Sequence, residues 1–258
     1  MNISATIITF NEEENIREAC ASVAWADEIL VVDSESTDAT REIAADCDAR
    51  VIVNAWPGFA AQKQFAVEAA KHDWILSLDA DERLSPELEK SIKALREKDE
   101  SLLADGYRVA RRAFYQGRWI RGGGWYPDYQ LRLFRRTRGS WGERLIHESF
   151  TLNPDARVET LRGDLLHYSM RDPVHHRRMI EERYAPLGAR QMFTDGKRTS
   201  RAAMALAGPL TYLRSLILKG GWRDGKAGLT IAKLAAYHAS LKHALLYEIQ
   251  NRNSDHSK

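Results

Sequence analysis

Short apolar runs rich in β-branched residues recur through the first third of the chain: Ile3 to Phe10, Glu28 to Asp33, Ala49 to Val53 and Trp74 to Leu78. Each has the length and composition of a buried strand. Amphipathic stretches separate them. Ile16, Ala19, Cys20 and Val23 fall on one helical face, and Asn11 followed by glutamates predicts that helix's cap and first turn. Further helices are predicted at about 38–46 and over Pro57 to Lys71, and Ser85-Pro86 opens another with a serine cap and proline in the first turn. Nearly continuous apolar strands alternating with helices predict an α/β fold, a mostly parallel sheet flanked by helices.

The pattern then changes. Residues 106–113 read as a strand, and Leu131 to Phe134 alternates with arginines, as a strand with one basic face does. Arg132, Arg135 and Arg136 on that face suit phosphate or solvent. Gly122-Gly123-Gly124 reads as a hinge before Trp125 and Tyr126, a pairing suited to a loop that closes over a sugar; a plain turn is the alternative. Leu165-Leu166 is a short apolar strand ending at His167. From about 173 the chain is helical, over Pro173 to Arg190, Ala202 to Leu218 and Leu229 to Ile249, giving the fold a C-terminal helical extension. Ala202 to Leu218, interrupted by Pro209 and Arg214, is too short to span a bilayer. It suits either a bilayer surface or a helix packed on the domain. The polar tail 251–258 is expected to fray.

Polar clusters sit where the first strands end: Thr9 and Asn11, Asp33 and Ser34, Asp79 and Asp81 with Glu82. Open parallel sheets bind ligands at the carboxyl ends of their strands. Clustered carboxylates at a buried strand end are costly without a cation, and two acids one residue apart can share a hard divalent ion such as Mg²⁺ or Mn²⁺. No glycine-rich phosphate loop follows the first strand, which excludes the usual dinucleotide and P-loop sites. A nucleotide here needs a cation to take up its phosphate charge.

Charge sharpens the division. Residues 1–100 hold 10 Lys+Arg against 22 Asp+Glu, whereas residues 101–258 hold 28 against 14. The second part is thus expected to meet something anionic, and arginine, dense between 108 and 144, suits phosphate. No recognition-helix motif supports nucleic acid as that partner. Cys20 and Cys47 have no metal-ligand spacing and read as thiols within helices. Met1-Asn2-Ile3 runs into the first strand without a basic leader, which reads as cytoplasmic.

Ile7-Ile8-Thr9-Phe10-Asn11-Glu12-Glu13, Val31-Val32-Asp33-Ser34 with Ser36-Thr37-Asp38, and Leu78-Asp79-Ala80-Asp81-Glu82 resemble the nucleotide-sugar half of family 2 glycosyltransferases, the inverting GT-A fold. Gly124 to Arg136, Ile146-His147-Glu148 and Leu166-His167-Tyr168 are similar to the lipopolysaccharide-core glucosyltransferase branch. Gln64 departs from the asparagine that often follows the lysine, and leaves Lys63 in place. The resemblance implies that Thr9, Asn11, Glu12 and Asp33 hold the base and ribose of a UDP-sugar donor, and that Lys63 and Asp79 position the nucleotide. It implies that Asp81, with His167, holds Mg²⁺ or Mn²⁺. It makes Glu148 the general base, with His147 and Asp128 as rivals, and Trp125, Tyr126 and Arg132 acceptor contacts. The implied acceptor is an anionic glycolipid, with contact at the inner face of the cytoplasmic membrane. Residues 1–105 then form the nucleotide-sugar half, 106–172 the acceptor and metal-completing half, and 173–250 the C-terminal helices. A sugar nucleotidyltransferase and a non-catalytic nucleotide-sugar or glycolipid-binding protein are the rival readings.

Overall fold

The computed structural model describes residues 1–142, 149–168, 170 and 172–255. The chain forms two compact units, one of residues 1–111 and 128–167, the other of residues 112–127 and 168–258.

The first unit opens with β1 (Ile3–Thr9), α1 (Ile16–Ser22), β2 (Glu28–Asp33), α2 (Thr40–Asp46), β3 (Arg50–Val53), α3 (Phe59–Ala69) and β4 (Trp74–Asp79). Then come β5 (Glu82–Leu84), α4 (Pro86–Arg96), β6 (Gly106–Tyr115), the second unit's β7 (Arg118–Trp119), β8 (Asp128–Arg135), β9 (Gly139–Trp141), β10 (Phe150–Leu152) and β11 (Val158–His167). The sheet order is β3-β2-β1-β4-β8-β6-β11-β5, with β7 paired to β6 and a separate small sheet of β9 and β10. Strands β3, β2, β1 and β4 run parallel, as their apolar runs predict. Strand β8 joins β4 antiparallel, β6 joins β8 antiparallel, and β5 joins β11 antiparallel.

Alternation sorts the central strands between two cores. Ile3, Ala5 and Ile7 of β1 join Trp74, Leu76 and Leu78 of β4 in a core with residues of α1 and α4, including Ile16, Leu88 and Ile92. Ile8, Leu30, Val32 and Ile75 face the other way, onto Ala66 and Val67 of α3 and onto Phe134. Every residue of β1 is buried, which is why the strand reads as a continuous apolar run. Helix α4 starts as predicted, with Ser85 Oγ accepting the Leu88 amide and Pro86 in the first turn. The same hydroxyl accepts the Asp164 amide, which ties α4 to β11. Gly163 sits at φ +94, and a Cβ there would lie 2.2 Å from the Leu88 nitrogen. Only glycine lets the two elements approach so closely.

Asn11 does not cap α1, which begins five residues later. It adopts φ 52, its amide donates to Ser36 Oγ, and its Oδ1 accepts from the Thr37 amide. The asparagine joins two loops at the carboxyl edge, so its side chain is engaged there rather than at a helix start.

The second unit contains α5 (Pro173–Met179), a π-helical turn at Ile180–Tyr184, α6 (Ala185–Thr194), α7 (Arg201–Leu213) with a π-helical continuation at Arg214–Leu218, and the long α8 (Gly225–Asp255). The Gly122 region is anchored rather than free. Its amide donates to Asp224 Oδ2 at 2.7 Å, and a Cβ at Gly122 would lie 2.4 Å from the Gly220 carbonyl oxygen. These glycines serve a close backbone approach, not a swinging hinge. Helix α7 packs on α8, where a Cβ at Gly208 would meet Ser240 Oγ at 2.3 Å. Among the described residues no helix is long and apolar enough to cross a membrane.

Candidate active site

Register places the polar clusters along one edge. Thr9 is paired with Asp33, and Ile8 with Asp79, so β2 and β4 deliver their terminal carboxylates on either side of β1. Two strand spacings separate them, about 10 Å. Asp33 is fully buried; Oδ1 accepts the Ser36 amide and Oδ2 the Ser36 hydroxyl. Thr9 Oγ1 is buried and has no hydrogen-bond partner among the described residues, which leaves a polar atom at the strand tip for a ligand to satisfy. The Glu12 amide donates to Thr40 Oγ1, and Glu12 Oε2 accepts from Asn15. Next to this edge Gln62, also fully buried, bonds Ser34 and Asn54.

Asp79 heads a chain of alternating charges. Lys63 Nζ lies 2.7 Å from Asp79 Oδ1 and 5.0 Å from the centre of the Trp141 ring. Arg132 Nη2 donates to Asp79 Oδ2 at 3.1 Å and to Glu82 Oε1 at 2.6 Å. Glu82, 0% exposed, also accepts the Asp79 amide and meets Arg111, which is paired in turn with Asp128 at 2.7 Å. Burial pushes the Asp79 carboxyl up, but Lys63, Arg132 and, less strongly, His167 outweigh it and hold the group well below the usual carboxylate range. Burial works against the Arg132 charge, yet Glu82 and Asp79 raise its affinity for the proton above that of an ordinary guanidinium. Gln64 stands apart from this network, accepting the Trp141 amide and bonding Glu68.

Asp81 differs from Asp79. Among the described residues no Lys or Arg is paired with it; its neighbour is the His167 ring, with Nε2 3.3 Å from Oδ2. Strand register causes the meeting: β11 pairs with β5 so that His167 faces Glu82, directly after Asp81. An oxygen and a nitrogen donor side by side, both partly open to solvent, fit a divalent ion whose other positions are filled by substrate phosphate and water. The described residues offer no cluster of three or more protein ligands, so such an ion would depend on the substrate.

The first unit thus brings together Thr9, Asn11, Glu12, Asp33, Lys63, Asp79, Asp81, Arg132 and His167. Arg132 is 3% exposed and locked between two carboxylates, while Arg135 and Arg136 pair with Glu100 and Asp73. Asp128 is engaged by Arg111. Trp125 and Tyr126 belong to the second unit, where Trp125 packs against Tyr115 and His176, and Arg112 lies over Tyr126. Glu148 and its rival His147 lie outside the described residues. Sequence reasoning missed the central position of Glu82 and the roles of Arg111, Gln62 and Ser36. The alternation of Glu82 and Leu84, both buried, was the available signal for a short strand after Asp81.

Residues 4–151 match the family described as Glycosyl transferase family 2. The lipopolysaccharide core biosynthesis glycosyltransferase LpsC of Rhizobium meliloti is 34% identical over 264 residues, covering 95% of this chain and 92% of that protein. The chain belongs to glycosyltransferase family 2. An uncharacterised glycosyltransferase of Rickettsia typhi is 30% identical to this transferase, covering 96% of this chain and 87% of its own. Among solved structures, that of S. aureus TarS 1-349 in complex with UDP is similar to the transferase at 16% identity and a TM-score of 0.48, covering 100% of this chain and 92% of that one.

Proposed function

We propose that this transferase is a metal-dependent inverting enzyme that moves glucose from UDP-glucose onto a lipopolysaccharide inner-core or related anionic glycolipid. The observation that carries the reading is the pair Asp81 and His167 beside the Lys63–Asp79–Arg132 cluster, at the edge where the parallel strands end. The similarity to a relative named for lipopolysaccharide core biosynthesis supports the acceptor class. In this reading residues 1–105 bind the donor, 106–172 face the acceptor, and 173–250 lie toward the inner face of the cytoplasmic membrane.

Thr9, Asn11, Glu12 and Asp33 hold the base and ribose. Ser36 fixes Asp33, and Asn11 joins the two loops that flank the nucleoside. Asp79 and Glu82 hold Lys63 and Arg132 as a charge-balanced group next to the diphosphate. Asp81 and His167 would hold Mg²⁺ or Mn²⁺. A mixed oxygen and nitrogen set suits Mn²⁺ better, since Mg²⁺ favours oxygen ligands alone. When bound, the ion supplies Lewis-acid stabilisation of the negative charge that develops on the leaving UDP. Trp125, Tyr126 and Arg132 are the proposed acceptor contacts.

Glu148 is the proposed general base. The acceptor hydroxyl oxygen bonds to the anomeric carbon on the face opposite UDP. The bond from that carbon to the β-phosphate oxygen breaks, its electron pair leaves with UDP, and the hydroxyl proton passes to the carboxylate. Release of UDP from UDP-glucose in the presence of truncated lipopolysaccharide core tests the reading. Release that depends on the acceptor is the expected result. UDP binding without release would instead indicate a non-catalytic binding protein. Replacing Glu148 with Gln should lower turnover about a hundredfold or more with UDP affinity unchanged, the usual size for a lost general base. Unchanged turnover would shift the role to another residue.

A further inference from the structure

The outward face of α7 and its π-helical continuation is apolar where a surface helix is normally charged. Among positions 201–218 the exposed residues are Ala, Leu, Ile or Pro, apart from Arg201 and Arg214. Leu206, Leu210, Leu213 and Ile217 recur at helical spacing and are 54%, 60%, 50% and 58% exposed, with Leu218 at 82%. The opposite face is used: Gly208 and Ser215 are buried, and Gly208 lies against α8. Fold packing therefore accounts for one side of the helix and leaves the leucine side uncovered. Scattered exposed leucines need no explanation, but a continuous row does.

Charge indicates what covers it. Between Asp195 and Glu248 the only acidic residue is Asp224, which is 1% exposed and accepts the amides of Arg121 and Gly122. Lys197, Arg198, Arg201, Arg214, Lys219, Arg223, Lys226, Lys233 and Lys242 lie in the same stretch. Arg214, Arg223 and Lys226 are paired with no carboxylate among the described residues. Just past the leucine row, Trp222 is 62% exposed with the Arg223 guanidinium 5.4 Å from its ring centre. An indole beside a cation suits the boundary between headgroups and acyl chains. An apolar row next to unopposed cations matches an anionic lipid surface. A second copy of the chain would bring the same cations into opposition.

We infer that the Leu206–Leu218 face of α7 lies in the surface of an anionic bilayer, with Arg214, Trp222, Arg223 and Lys226 at headgroup level. This rests on the second unit's helices alone, so its failure would leave the donor-site reading untouched.

Flotation of the full chain with vesicles tests it. Vesicles of phosphatidylethanolamine with one third phosphatidylglycerol should carry the protein, and phosphatidylcholine vesicles should not. The double substitution Leu210→Glu with Ile217→Glu should reduce the bound fraction more than about tenfold, since binding follows buried apolar area, with far-UV circular dichroism unchanged. Should that variant fail to fold, Arg214→Gln with Arg223→Gln and Lys226→Gln gives the second readout, a weaker binding with a shallower salt dependence. Absence of flotation with anionic vesicles, or flotation that neither variant reduces, would overturn the inference. So would concentration-dependent dimers that the leucine substitutions abolish without any vesicle binding.

Discussion

In the first unit Arg50, Arg96, Arg111, Arg132, Arg136 and Arg138 each meet a carboxylate within 3.0 Å, whereas in the second unit Arg214, Arg223 and Lys226 meet none among the described residues. The two units hold equal numbers of Lys and Arg, 19 each, but 29 Asp and Glu stand in the first unit against 7 in the second. Strands β6 and β8 carry arginines from the basic part of the sequence onto acids of the first hundred residues, so Arg111 and Arg132 meet Glu82 and Arg132 also meets Asp79, while Arg136, just past β8, meets Asp73. The charge asymmetry along the sequence therefore carries over to the two units, with the arginines of β6 and β8 neutralised inside an acidic first unit. What remains exposed for an anionic partner lies largely on the C-terminal helices.

The largest expected effect separates Asp81 from its paired neighbours. Replacing Asp81 with Ala should lower turnover by about a thousandfold, the size of a lost electrostatic contact to a developing charge, while the melting temperature stays near that of the wild type. UDP-release kinetics measure the first and thermal denaturation the second; near-normal turnover would contradict the assignment.

Next in size, Arg132→Met leaves Asp79 and Glu82 without their shared guanidinium. Breaking a buried pair from one side costs about 3–5 kcal/mol. The matching substitution in the second unit, Arg214→Met, should change stability by less than about 0.5 kcal/mol, as exposed sites do. Urea denaturation of both variants compares them, and equal losses would erase the distinction between the two regions.

A smaller effect belongs to the second unit. His176 is buried against Tyr115, and burial, with the charges of His238 and His175 adding to it, lowers its pKa from 6.5 to about 4. Between those values the unfolded chain takes up a proton that the folded chain refuses, so stability falls as pH drops from about 6.5 to about 4. The loss over that range is on the order of 3 kcal/mol. Substituting Phe for His176 should narrow the gap between urea midpoints at pH 7 and pH 5, with a residual slope from His238 and His243, whose pKa values are also lowered. An unchanged gap would assign the acid sensitivity elsewhere.

The parallel half of the sheet was legible because strands buried on both faces carry a local signature, and polar residues at their carboxyl ends follow directly from chain order. The antiparallel half was only partly legible. The strand over Leu131 to Phe134 was legible and β8 spans Asp128–Arg135, but its arginines read as a basic face, whereas Arg132 is buried between two carboxylates. The meeting of His167 with Asp81 depends on the pairing of β11 with β5, a contact between segments about 80 residues apart that no local pattern encodes. Glu82 looked like one acid in a turn because the arginines that stabilise it are also distant in sequence. The row of leucines on α7 was visible as an apolar stretch, but its uncovered side became apparent only once α8 was seen to occupy the opposite face.

The central claim is that Asp81 and the neighbouring strand tips hold an ion-bound diphosphate. Calorimetric titration of UDP into the wild type and the Asp81→Asn variant, with and without Mn²⁺, tests it most directly. Mn²⁺ should tighten UDP binding at least about tenfold in the wild type, one ordinary increment of 1.4 kcal/mol, and leave the variant nearly unchanged. Equal tightening in both proteins, or none in the wild type, would contradict the claim.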